Sequence, residues 1–227
     1  MRRFALLTPL AVVIVVGLGV WLFPEAGPLA LLGGLSLFLT GALVASWHLH
    51  RHHPHSRLGF ANVVTLIRLA LVSVLVIPLV GVTAAPVAII AVAVIALSLD
   101  GVDGWLARRE QLSSDFGARF DMEVDSAFAL VLAILAVVVG GTTGLVLLLG
   151  LPRYLFGLAG LALPWLNGAL PPRFSSKVIC VIQIIVLIAL QSPWFLGLLG
   201  TILVLITLAL LAWSFGHDIV WLRRHRA

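Results

Sequence analysis

The sequence predicts an all-α integral membrane protein of about eight transmembrane helices, and three observations carry that prediction. Of its 227 residues, 62% are hydrophobic and only 10% charged, well outside the balance of a soluble domain. Mean hydropathy is +1.19, more apolar surface than a water-soluble core of this length can use. The apolar runs are long and do not alternate with polar residues, which favours helices over a membrane barrel. A single cysteine, Cys180, excludes an internal disulfide and has no metal-ligand spacing around it.

Taken in order, Arg2 and Arg3 precede an apolar stretch from Phe4 to Phe23. About 20 apolar residues is long for a cleaved leader, so the stretch reads as a first span. Pro24 to Gly27 turns the chain, and Pro28 to His48 makes a second span. The segment HLHRHHPHSR follows, with five histidines and two arginines between His48 and Arg57; beside a membrane it reads as a basic loop facing anionic lipid rather than as a metal site. A third span runs from Asn62 to Gly81, and a fourth from Pro86 through Asp100 to near Glu110. The fifth starts near Asp115, capped by Ser113 or Ser114, and ends at Gly140 and Gly141. A sixth covers Gly144 to Leu163, interrupted at Pro152 and Arg153; the seventh covers Ser175 to Leu190, and the eighth Trp194 to Trp213, extending toward Trp221.

An even number of spans puts both termini on one side. The outer connections are then Pro24–Pro28, Gly81–Pro86, Gly140–Gly144 and Gln191–Pro193, none of which contains lysine or arginine. The positive-inside rule therefore expects a multi-pass protein of the cell (inner) membrane with both termini in the cytoplasm. With a rise of about 1.5 Å per residue, Asp100 lies about two thirds of the way across its span, toward the cytoplasmic side. Asp121 and Asp125 lie about two to three turns inside theirs.

Those aspartates mark the most informative stretch, SLDGVDGWLARREQLSSDFGARFDMEVDSAFAL. Seven of the nine acidic residues lie between Asp100 and Asp125. Asp100 and Asp103 are three apart, Asp121 and Asp125 four apart, and on helices each spacing puts both carboxylates on one face. Gly104, Ala107 and Gly117 lie a turn from these pairs, so a flat ligand has access to backbone. Four carboxylates at close quarters repel unless a cation sits among them. Hard divalent ions with oxygen ligands, Mg²⁺ or Mn²⁺, answer that need, and two such ions clamp a phosphoryl group in known chemistry. Acids within a membrane are costly without a partner, which speaks against a merely solvated loop.

The order Asp-x-x-Asp-Gly-x-x-Ala-Arg, eight residues, Gly-x-x-x-Asp-x-x-x-Asp resembles the signature of the CDP-alcohol phosphatidyltransferases. Asp100, Asp103, Gly104, Ala107, Arg108, Gly117, Asp121 and Asp125 fill it at every position. A weaker resemblance continues from about Asn62 to the C-terminus. It implies two parts: residues 58–227 as a six-helix catalytic core, and residues 1–57 as two additional helices with the His-rich cytoplasmic loop. It also implies that a CDP-linked lipid, usually CDP-diacylglycerol, donates its phosphatidyl group to an alcohol within the lipid bilayer and releases CMP.

Family roles carry over by position. Asp100, Asp103, Asp121 and Asp125 would hold two Mg²⁺ or Mn²⁺ ions, and Asp125 would also take the proton of the acceptor hydroxyl. Gly104, Ala107, Arg108, Ser114 and Gly117 would contact the nucleotide and its phosphates. NVVTLIR resembles the start of the family's first core helix, so that Asn62 and Thr65 would line the cytidine pocket with Arg68 one turn further in. Downstream, Arg153, Arg173 and Lys177 are expected to hold an acceptor, favouring an anionic one such as glycerol 3-phosphate or phosphatidylglycerol. RFSSKVICVIQ is similar to a stretch of members using such acceptors; Lys177 and Gln183 fit it, whereas Cys180 replaces a threonine. No nucleic-acid partner is expected, and similar proteins are often homodimers. The competing reading is a cation transporter or channel. It would spread carboxylates through the membrane depth, whereas here they share one level and only Glu25 lies on the outer half.

Overall fold

A computed structural model of the chain describes residues 2–52, 60–81, 85–110, 115–168, 170–171 and 173–225; the side chains of 2–6, 48–52, 103–110 and 115–116 lie outside the description. The described residues form helices and no strands. In chain order they are α1 (Arg2–Leu22), α2 (Pro28–His52), α3 (Phe60–Val74), α4 (Pro86–Glu110), α5 (Asp115–Val138), α6 (Leu147–Gly150), α7 (Pro152–Ala162), α8 (Phe174–Ala189) and α9 (Leu198–Arg224). Short 3₁₀ turns at Ile77–Leu79, Gly144–Val146, Pro164–Asn167 and Pro193–Phe195 complete the pattern. Proline opens α2, α4 and α7, where its fixed φ suits a first turn and its missing N–H costs nothing.

Each expected span coincides with a helical segment, but length and apolarity single out fewer as membrane-crossing. Pro28–Trp47, Phe60–Leu79 and Leu198–Arg224 qualify individually, and Gly144–Gly150 with Pro152–Ala162 forms a pair bent by 63°. Leu7–Leu22, Pro86–Val102 and Phe174–Ala189 are shorter apolar helices. The bend falls where Pro152 cannot donate to the preceding turn. The eighth segment differs from expectation in its start: Trp194 belongs to a 3₁₀ turn, and α9 begins at Leu198 after Gly197, whose φ of +79° turns the chain. The His-rich loop falls on α2's last residues, whose side chains are not described, and on 53–57, outside the described residues.

The chain divides into two compact units, Met1–Val131 and Leu132–Ala227, with the boundary inside α5. In the first, α3 is central and packs against α1, α2 and, most extensively, α4. Leu66, Leu69, Ala70, Val72 and Val74 of α3 are buried beside Ile89, Val92, Ala93 and Ala96 of α4. Small residues allow α2 to come close. A Cβ on Gly34 would lie 2.7 Å from the Ser73 carbonyl oxygen, and one on Gly41 2.9 Å from Leu69 Cδ2. Such contacts substitute for hydrophobic driving force between helices in lipid. Gly34→Leu should therefore destabilise the protein by about 1–3 kcal/mol through overpacking, read as a lowered thermal unfolding midpoint in detergent. Gly17→Leu, where a Cβ meets nothing within 4 Å, should leave the midpoint almost unchanged. Equal midpoints for the two variants would refute the close packing of α2 on α3.

In the second unit buried amides tie helices together. Gln183 Nε2 donates to Leu149 O at 2.5 Å, beside the break between α6 and α7, and Gln191 Nε2 donates to Leu132 O and Leu187 O, both at 2.9 Å. Arg173, just before α8, reaches α9: its Nη2 donates to Asp218 Oδ1 at 2.5 Å and to Ser214 O at 3.2 Å.

Candidate active site

Three helices of the first unit bring one side chain or pair each to a common point. α4 supplies Asp100 and α5 supplies Asp121 and Asp125, one turn apart on the same face. α3 supplies Arg68, one turn from Thr65 and two from Asn62. An oxygen from each of Asp100, Asp121 and Asp125 lies within 4.8 Å of the others. Arg68 sits among them: Nη1 is 2.5 Å from Asp121 Oδ1 and Nη2 is 2.9 Å from Asp100 Oδ1. The same Nη2 is also paired with Asp125 Oδ1.

Burial is unequal across this cluster. The Arg68 side chain is 2% exposed, while those of Asp100, Asp121 and Asp125 are 30%, 38% and 45% exposed. The guanidinium thus lies on the protein side and the carboxylates on the open side. Its planar fork suits several carboxylates at once, which an ammonium could not match. Three carboxylates (3−) against one guanidinium (1+) leave a formal 2− among these four side chains. Clustered hard oxygen donors with excess negative charge fit a divalent cation such as Mg²⁺ or Mn²⁺.

The structure brings together three of the four expected carboxylates. Asp103 is on the same helix as Asp100, but its side chain, like those of Ala107 and Arg108, lies outside the description, as do the surroundings of Gly104 and the whole of Ser114. Gly117 lies in the first turn of α5, partly exposed. Asn62 and Thr65 are buried, 5% and 3% exposed. The Thr65 hydroxyl donates to Ala61 O at 3.0 Å. For the Asn62 amide no hydrogen-bond partner is found among the described residues, an uncommon state for a buried amide and one that a ligand would relieve.

Arg153, Arg173 and Lys177 belong to the second unit. Arg153 is half-buried in the first turn of α7, and Lys177 is exposed on α8. Arg173 is committed locally, to Asp218, Ser214 O and Ser176 Oγ at 3.0 Å. Two contacts escaped the sequence reading: Arg68 with the aspartates and Arg173 with Asp218. The available signal for the first was an arginine inside an apolar helix, which demands a counter-ion.

A protein-family model described as CDP-alcohol phosphatidyltransferase matches residues 58–213, more than half of the chain, and includes every helix that supplies this cluster. No curated protein matches the sequence.

Proposed function

The chain belongs to the CDP-alcohol phosphatidyltransferase family, a family of membrane transferases of phosphate-containing groups, and from that premise we propose that it moves the phosphatidyl group of CDP-diacylglycerol to an alcohol and releases CMP. The observation that carries this reading is the convergence of Asp100, Asp121 and Asp125 within the matched region, their oxygens within 4.8 Å of one another. Family membership lends nothing to the ion-transport alternative.

In this reading Asp100, Asp103, Asp121 and Asp125 hold two Mg²⁺ or Mn²⁺ ions, which neutralise charge on the pyrophosphate when bound. Asn62 and Thr65 receive the cytidine, with the Asn62 amide, which has no hydrogen-bond partner among the described residues, as a donor and acceptor pair for the base. Gly104, Ala107 and Gly117 allow the nucleotide to lie against backbone, while Arg108 and Ser114 bind its phosphate oxygens. Asp125 takes the proton of the acceptor hydroxyl. The acceptor oxygen then bonds the phosphorus that carries diacylglycerol, and the bond from that phosphorus to the bridging oxygen breaks. CMP leaves with that oxygen.

Lys177 and Arg153 bind the acceptor, and their charge favours an anionic alcohol such as glycerol 3-phosphate or phosphatidylglycerol. The basic residues flanking the apolar helices support an inner-membrane protein with its active site and termini toward the cytoplasm, where a water-soluble nucleotide head and a lipid tail meet. A homodimer is the assembly carried over from similar proteins.

The test is purified protein with labelled CDP-diacylglycerol and a panel of alcohols, followed by lipid product and CMP. A phospholipid product with an anionic alcohol is the expected outcome. CMP release without any lipid product, or no reaction across the panel, would defeat the proposal.

A further inference from the structure

We propose that Arg68 is a positioning residue for the cation site: a buried guanidinium that aligns the three carboxylates from beneath and leaves their open side to the metal. The inference rests on the reading that this cluster holds divalent cations.

Three observations point the same way. First, the guanidinium uses both prongs, Nη1 on Asp121 and Nη2 on Asp100 and Asp125. It therefore fixes α4 against α5 at their carboxylates rather than neutralising a single partner. Second, Asp100, Asp121 and Asp125 each meet the guanidinium through Oδ1. Third, exposure falls from 30–45% at the carboxylates to 2% at Arg68. A cation arriving from the open side meets the carboxylates first, with the guanidinium behind them. Residues that orient metal ligands in this manner commonly change metal affinity by about 10–100-fold when replaced.

Charge and position make opposite predictions, which renders the idea testable. If Arg68 acted only as a positive charge, removing it would strengthen the pull of the carboxylates on a cation. If it positions them, removing it frees three mutually repelling groups and weakens binding. Lysine separates the two further, because it keeps the charge but has no fork with which to bridge separate carboxylates.

The experiment is Mn²⁺ binding to the full-length, detergent-solubilised protein, read by the paramagnetic resonance signal of the free ion, for wild type, Arg68→Gln and Arg68→Lys. Folded protein is isolated by size-exclusion chromatography, so that affinity refers to native molecules. Both variants are expected to bind Mn²⁺ about tenfold or more weakly than wild type. Wild-type affinity in Arg68→Lys, or equal or tighter binding in Arg68→Gln, would overturn the inference while leaving the cation site intact. Should Arg68→Gln fail to fold, Arg68→Lys, which retains the neutralising charge, decides alone. A wild-type protein that takes up no Mn²⁺ would instead sink the cation reading of the cluster, and this inference with it.

Discussion

Asp121→Asn should give a folded protein whose CMP release falls by about a thousandfold or more. The substitution keeps the volume of the side chain and one acceptor oxygen for Arg68 Nη1, now 2.5 Å from Asp121 Oδ1. What it removes is the charge, and with it a hard anionic ligand. Metal neutralisation of transferring phosphate is worth several kcal/mol, hence the size of the effect. The fold should survive, because three carboxylates crowd a single guanidinium and removing one charge relieves their repulsion. Asp100→Asn should behave alike. Chelating divalent ions should abolish turnover of the wild type, and Mg²⁺ or Mn²⁺ should restore it. Measured with labelled CDP-diacylglycerol, near-normal turnover in either variant at saturating Mg²⁺ and Mn²⁺ would show that the carboxylates do not hold catalytic metal.

Lys177→Ala should chiefly raise the apparent KM for an anionic acceptor, by roughly tenfold to a hundredfold. A hydrogen bond to a charged group contributes about 1.5–3 kcal/mol, which converts to that range. The loss should shrink for an uncharged alcohol, and the KM for the CDP-lipid should hardly move. Arg153→Ala should follow the same pattern. Arg173→Ala is expected to differ in kind, because its guanidinium already holds Asp218, Ser176 and the Ser214 carbonyl. Breaking that cluster leaves a mostly buried carboxylate without its cation, so the principal effect should be a lowered unfolding midpoint, about 1–3 kcal/mol in stability. Equal damage to donor and acceptor KM in Lys177→Ala would mean that the lysine shapes the cavity as a whole. The case for an anionic acceptor would then lose its main support.

The contrast between Arg173 and Lys177 shows where sequence reading stops. Both are basic residues near the start of the same apolar segment, and nothing in their neighbourhood separates a helix-tying arginine from an exposed lysine. Asp218, which distinguishes them, lies 45 residues away from Arg173. Gln183 likewise matched a pattern of residues in the sequence, yet its amide is occupied by Leu149 O, 34 residues earlier.

The sequence by itself determined what depends on near neighbours. Apolar runs bounded by proline, glycine and charge are local features, so each expected span falls on a helical segment, although the sixth is split at Pro152 and the last helix starts at Leu198 rather than Trp194. The spacings of Asp100 with Asp103 and Asp121 with Asp125 are local as well, since helical periodicity alone aligns residues three and four apart. Tertiary structure alone decided the partner of Asp100, Asp121 and Asp125. Arg68 is 53 residues from Asp121 and 57 from Asp125, and no periodicity relates groups on separate helices. The sequence put it one turn beyond Asn62 and Thr65 and gave it no role. Packing of α3 against α4 carries its guanidinium to the carboxylates, because an arginine buried among apolar helices is stable only where opposite charge meets it.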